Sequence, residues 1–195
     1  MYCRWEKFCE IVVSMILSKE KKIGIFGGSF DPPHKGHLMI AKSVIKKIKL
    51  NKLFWLVAKR NPFKKKTYLN LNKRMNLSKN LVKNEKKIIV KFLDNKMKSS
   101  RTINNIMYLM RKNRNSKFFL IIGSDNLINF HKWKSWKEII KVTTLVVYPR
   151  NKFQNKAKKS IISRYLNNKN VIFIKSKKID ISSSKLRKNY LKLVS

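Results

Sequence analysis

Two of the three histidines in this 195-residue chain fall three positions apart in one short segment, Gly27-Gly28-Ser29-Phe30-Asp31-Pro32-Pro33-His34-Lys35-Gly36-His37. Side chains three apart in the first turn of a helix share a face, so His34 and His37 can reach one ligand together. Gly27 and Gly28 precede them at the end of an apolar run, where the lack of a Cβ lets the backbone turn and lets a phosphate approach. Asp31 and the two prolines stop the strand and shape entry to a helix, whose first N–H groups are free for an anion. Gly36 is expected to keep the space beside the imidazoles open. The chemistry this implies is phosphate binding. Two histidines can also begin a zinc site, but no nearby Cys or Glu supplies further ligands, and no protein-held metal is expected.

Two more segments carry similar potential. Gly123-Ser124-Asp125-Asn126-Leu127 follows an apolar run, and a Gly then an Asp at such a strand end suits a ribose-hydroxyl acceptor. Asp125 serves equally well as the cap of a short helix, and the two readings are compatible. Near the other end of the chain, Ile181-Ser182-Ser183-Ser184-Lys185-Leu186-Arg187 offers hydroxyls at a helix start and an arginine one turn on, a second cradle for phosphate.

The elements that position these segments follow from periodicity. Short apolar runs at 23–26, 53–57, 88–92, 118–122, 145–148 and 171–174 read as strands. Between them, 38–48, 72–82, 102–111, 136–142 and 156–166 place apolar residues at helical spacing. Strands alternating with helices imply an α/β fold, a Rossmann-like, doubly wound parallel sheet with helices on both faces. Ligands of such sheets bind outside the carboxyl ends of the strands, which is where all three segments fall.

With Gly27-Gly28-Ser29-Phe30-Asp31-Pro-x-His34-x-Gly36-His37 the chain resembles nucleotidyltransferases with the His-x-Gly-His motif, and more closely the bacterial nicotinate-nucleotide adenylyltransferases. The likeness runs from about residue 22 to residue 187. It implies transfer of AMP from ATP to nicotinate mononucleotide, giving deamido-NAD and pyrophosphate. It also implies Mg²⁺ bridged by the substrates. His34, His37 and Arg187 are then the catalytic residues, and Gly27, Gly28, Ser29, Phe30, Ile181, Ser182 and Ser184 join them in binding ATP.

Further correspondences supply the mononucleotide side. Arg60-Asn61-Pro62-Phe63-Lys64 resembles the family's Asn-Pro-x-Lys loop beside the substrate phosphates, which makes Asn61 and Lys64 candidates, although a plain surface loop reads the same way. Arg74 matches a recurrent family arginine. Trp133 corresponds to the aromatic that stacks on the pyridine ring, whereas Trp136 is read as core. Thr102 matches a threonine that helps hold the pyridine carboxylate, and Arg101 stands where the family usually has tyrosine.

Composition bounds the alternatives. Lys and Arg number 48 against 9 Asp and Glu, a net charge of +39. The lysines are spread along the chain with an excess of Asn and Ile, so we ascribe them to an A/T-rich coding bias and expect no specific nucleic-acid partner. The longest apolar stretch, residues 11–17, is too short for the roughly 20 residues that cross a bilayer, and a membrane role and a secretory signal are not expected. Cys3 and Cys9 alone make no disulfide framework. Residues 1–20 read as an N-terminal extension, disordered or lying before the true start at Met15, and 21–195 as the nucleotidyltransferase domain. A cytoplasmic location follows from the absence of targeting signals and from the ATP chemistry. Two alternatives remain at this stage: a sister transferase acting on phosphopantetheine or another phosphate acceptor, and a basic nucleic-acid-binding protein.

Overall fold

Six runs rich in Ile, Val, Phe and Leu form one all-parallel sheet: β1 (Lys21–Gly28), β2 (Lys52–Val57), β3 (Ile88–Lys91), β4 (Ser116–Gly123), β5 (Thr144–Tyr148) and β6 (Val171–Phe173). The computed structural model describes residues 20–59, 67–94, 101–150, 153–167, 169–175 and 183. All six strands lie within two residues of their expected bounds. Their order is β3-β2-β1-β4-β5-β6, so the chain winds outward from β1 in one direction, then returns to β4 and winds outward in the other. The reversal opens a crevice between the carboxyl ends of β1 and β4, the position where such sheets bind nucleotides.

Alternation along each strand makes two cores. Ile23 and Ile25, Phe54 and Leu56, and Phe118, Leu120 and Ile122 face one side, with Ile106, Leu109, Phe130 and Ile139. Phe26, Leu53, Trp55, Phe119 and Ile121 face the other, with Ala41, Val44 and Leu50. Both faces are apolar because helices cover both, which is why the strands read as continuous hydrophobic runs.

The helices are α1 (Lys35–Ile48), α2 (Leu71–Leu81), α3 (Thr102–Lys112), α4 (Ser124–Ile128), α5 (Trp136–Val142), α6 (Gln154–Lys158) and α7 (Ile161–Tyr165), with a 3₁₀ turn at Phe130–Lys132. One expectation fails here. The helical pattern at 156–166 is two short helices, because Ser160 is extended and its Oγ accepts the backbone N–H of Ser163 (3.3 Å), starting a new helix instead of continuing the first. Apolar spacing alone carries no sign of that cap.

Among the described residues no helix is long and apolar enough to cross a membrane. Leu120 sits in β4, flanked by β1 and β5, and is 2% exposed. Leu120→Ala is expected to lower stability by about 2–5 kcal/mol, seen as a lower urea midpoint with an unchanged slope.

Candidate active site

The glycine-rich turn leaves β1 at Gly28 and enters α1 at Lys35, with the Asp31–Pro32 peptide cis. The residue that takes the left-handed conformation there is Phe30 (φ 45°), and no described glycine has positive φ. The expectation that Gly27 and Gly28 make the turn is therefore corrected. What Gly27 does supply is room: a Cβ built on it would meet no atom of the described residues within 4 Å. At Gly28 the same Cβ would stand 3.2 Å from the Phe30 ring. Phe30 is held in its unusual backbone state by aromatic packing, stacked on Trp55 at 4.4 Å and edge-on to Phe26 at 5.3 Å.

His34 is the N-cap residue of α1, extended at φ −151°, and His37 follows one turn later. Their rings stack at 3.7 Å between centroids, as the spacing predicts, and His37 also meets the edge of Phe30 at 5.1 Å. Both are buried, at 8% and 7% exposure. Yet His34 Nδ1 and Nε2 and His37 Nδ1 have no hydrogen-bond partner among the described residues. Burial lowers His34 to a pKa of about 4, helped by the nearby positive charge of Arg150. Burial takes His37 to about 2, with His34 and then Arg150 adding to it. Both imidazoles are thus neutral at physiological pH, with ring nitrogens left over for a ligand.

A brace of backbone hydrogen bonds holds this turn against its neighbours. Arg74, in the first turn of α2, is 1% exposed, and its guanidinium donates to four carbonyls. They are Ser29 (2.6 Å) in the turn, Ala58 (2.7 Å) and Lys59 (2.8 Å) after β2, and Leu69 (3.1 Å) before α2. Asp31 accepts the N–H groups of Tyr68 (2.7 Å) and Leu69 (2.8 Å), so its carboxylate holds the approach to α2 as well as ending β1. Asp94, buried after β3, accepts from the Lys59 N–H (2.9 Å) and the Asn105 amide (3.2 Å), which ties the end of β2 to α3. Arg74 therefore faces backbone on every donor side, and its role is positioning.

Across the crevice, β4 ends at Gly123, the N-cap of α4, and Asp125 is the second residue of that helix. Asp125 does not cap it, and α4 has no side-chain cap bond. Asp125 Oδ1 is buried without a partner among the described residues, while Oδ2 lies 3.5 Å from Arg150 Nη1. A Cβ on Gly123 would collide with Asp125 Oδ1, which explains the glycine. Ser124 Oγ accepts the Arg150 N–H at 2.9 Å and anchors the chain after β5.

The remaining candidates divide. Trp133 ends the 3₁₀ turn, half-buried, its ring 4.9 Å from Phe130 on the sheet face opposite Phe30. Trp136 is half-buried on the same face, edge-on to Tyr165 at 5.1 Å. Thr102 is the first residue of α3, with Arg101 as its N-cap. Ser183 donates its hydroxyl to the Pro32 carbonyl (3.0 Å), a contact with the histidine turn across 151 positions. Asn61, Lys64, Ile181, Ser182, Ser184 and Arg187, like the expected extension at 1–20 up to residue 19, lie outside the described residues. Sequence reasoning missed Arg150, Asp94 and Asn105. Asp94 had a signal, an acidic residue just past a strand in a chain with nine; Arg150 was hidden among 48 basic residues.

A parallel sheet whose strand order reverses between β1 and β4, with a glycine turn and histidines that lack partners among the described residues at that point, defines the class as nucleotide-binding α/β proteins. The chain belongs to the cytidylyltransferase-like family, whose model matches residues 25–189. It is 44% identical over 170 residues to the probable nicotinate-nucleotide adenylyltransferase of Pelagibacter ubique, covering 87% of this chain and 94% of that protein. The probable nicotinate-nucleotide adenylyltransferase of Aquifex aeolicus is 31% identical over 164 residues, 82% of this chain and 98% of that protein. In fold it resembles the Plasmodium falciparum nicotinic acid mononucleotide adenylyltransferase complexed with NaAD. The TM-score is 0.71 at 21% identity, over 86% of this chain and 83% of that one.

Two outcomes follow from this geometry. Arg74→Ala leaves several buried carbonyls without donors and is expected to destabilise the protein by about 3 kcal/mol or more in urea unfolding. The histidines bind fewer protons folded than unfolded, so the stability they contribute is complete above pH 6.5 and falls as pH drops from about 6.5 towards 4. Unfolding free energies at pH 7.5, 6.0 and 5.0 check this: the native chain is expected to lose more between the first and last than a His34→Asn/His37→Asn variant does.

Proposed function

We propose that the protein transfers AMP from ATP to nicotinate mononucleotide, forming deamido-NAD and pyrophosphate in NAD biosynthesis. The observation that carries this reading is the pair of buried, neutral histidines stacked at the turn after β1, with ring nitrogens that, like Asp125 Oδ1 after β4, lack partners among the described residues. The 44% identity to a probable enzyme of this name supports the choice of acceptor. Residues 21–195 form the transferase domain in this reading, and the cytoplasm is its place of work.

An oxygen of the mononucleotide 5′-phosphate attacks the α-phosphorus of ATP in line. The bond from that phosphorus to the α–β bridging oxygen breaks, and pyrophosphate leaves with the bonding pair. Both reactants arrive ionised, so no protein base is needed, and catalysis is alignment plus neutralisation of charge. Neutral His34 and His37 donate N–H to phosphate oxygens without trapping the product by net charge. Asp125 accepts a ribose hydroxyl through its free Oδ1. Trp133 and Thr102 serve the pyridine ring and its carboxylate, Asn61 and Lys64 the mononucleotide phosphate, and Ile181, Ser182, Ser184 and Arg187 the β- and γ-phosphates.

Nucleotidyltransferases of this kind typically use a divalent metal. The described residues hold no cluster of three His, Cys, Asp or Glu side chains able to bind one, and Asp31 and Asp94 are committed to backbone N–H groups. The donor set fits a Mg²⁺ ion carried by the phosphates of ATP, where it would neutralise their charge, and does not fit a protein cage.

Pyrophosphate release from Mg·ATP, with nicotinate mononucleotide, nicotinamide mononucleotide and phosphopantetheine offered separately, tests the reading. Release with the first well above the other two is expected. Preference for another acceptor keeps the mechanism and changes the substrate; silence with all three refutes both. His37→Ala is expected to lower kcat by about 100-fold or more with the melting temperature little changed.

A further inference from the structure

In the proposed reaction negative charge gathers beside two stacked histidines that the free protein keeps uncharged, and Arg150 is the cation whose charge acts on both of them. Arg150 lies just past β5, whose last residue Tyr148 pairs with Gly123 of β4. From there the side chain reaches back over β4, its Nε 3.3 Å from where a Cβ of Gly123 would be, in the direction of β1 and the histidine turn. Its backbone is fixed twice, the N–H donating to Ser124 Oγ (2.9 Å) and the carbonyl accepting from that hydroxyl (3.3 Å). The guanidinium itself is half-exposed, and its ion pair with Asp125 is long at 3.5 Å with 46% of the Arg150 side chain open to solvent. Arg74 offers the contrast: four of its five N–H donors are spent on carbonyls at 2.6–3.1 Å and it is buried away from any ligand.

We propose that Arg150 is a catalytic residue that binds the nucleotide's phosphates, held ready by Asp125 and exchanging that loose pair for a phosphate oxygen when ATP enters. The exchange leaves Asp125 free to accept the ribose hydroxyl. A planar guanidinium on a fixed backbone suits this task, because it gives two parallel donors to one phosphate without a large ordering cost. The inference rests on the reading of the protein as an ATP-using transferase but not on the identity of the acceptor.

Calorimetric titration of the full chain with inorganic tripolyphosphate and, separately, with Mg·ATP decides it, using the native protein, Arg150→Ala and Arg150→Gln. Tripolyphosphate has no ribose and so bypasses Asp125. Both variants are expected to bind each ligand at least about tenfold more weakly and to lower kcat with nicotinate mononucleotide by at least about tenfold, with unchanged circular dichroism. Arg150→Gln keeps a donor for Asp125, so it stands in should the alanine variant not fold. If the variants weaken ATP but leave tripolyphosphate binding intact, Arg150 only positions Asp125 and the proposal falls. It falls equally if the native chain does not bind tripolyphosphate. Arg150-dependent tripolyphosphate binding in a chain inactive with nicotinate mononucleotide supports the proposal and overturns the acceptor.

Discussion

A single buried cation organises the ligand-binding end of this molecule. Arg74 collects carbonyls from the turn after β1, the chain after β2 and the approach to α2, three segments that share no regular secondary structure. Each of those carbonyls sits where strand pairing has ended and would otherwise need water or a neighbour. A guanidinium can satisfy four at once because its donors point outward from one rigid plane. Asp31 and Asp94 extend the same brace with acceptors for backbone N–H groups, so the described backbone at Ser29, Ala58–Lys59 and Tyr68–Leu69 is fixed by the protein itself. Preorganisation of this kind is what a reaction that depends on alignment requires.

Around that brace the electrostatics are unusual for so basic a chain. Its net charge is +39, yet the two stacked histidines of the turn after β1 are uncharged. Desolvation by the aromatic cluster of Phe26, Phe30 and Trp55 dominates, and the field of Arg150 adds to it. The general positive field attracts anions, while the stacked histidine pair stays neutral within it.

The sequence announced its fold through β-branched and aromatic runs at regular intervals, and the strands lie where those runs are. It missed the break at Ser160 because a cap is one hydroxyl bonding to one N–H, invisible to periodicity. His34 and His37 were readable because three-residue spacing at a helix start fixes a shared direction. The glycines are the residues expected to let the backbone turn, whereas Phe30 bears the positive φ, since aromatic stacking on Trp55 outweighs its local backbone preference.

The sequence by itself determined the parallel sheet, the histidine turn and the family, because each is a local pattern or a pattern repeated along the chain. Only the tertiary structure decided which charges matter. Arg74 and Arg150 are indistinguishable among 48 basic residues until folding buries one against four carbonyls and leaves the other half-exposed over Gly123. Likewise Ser183 reaches Pro32 across 151 positions, a contact set by sheet order and not by any local pattern. The physical reason is common to all three. A polar side chain's role is fixed by which partners burial leaves it, and burial is a property of the assembled layers.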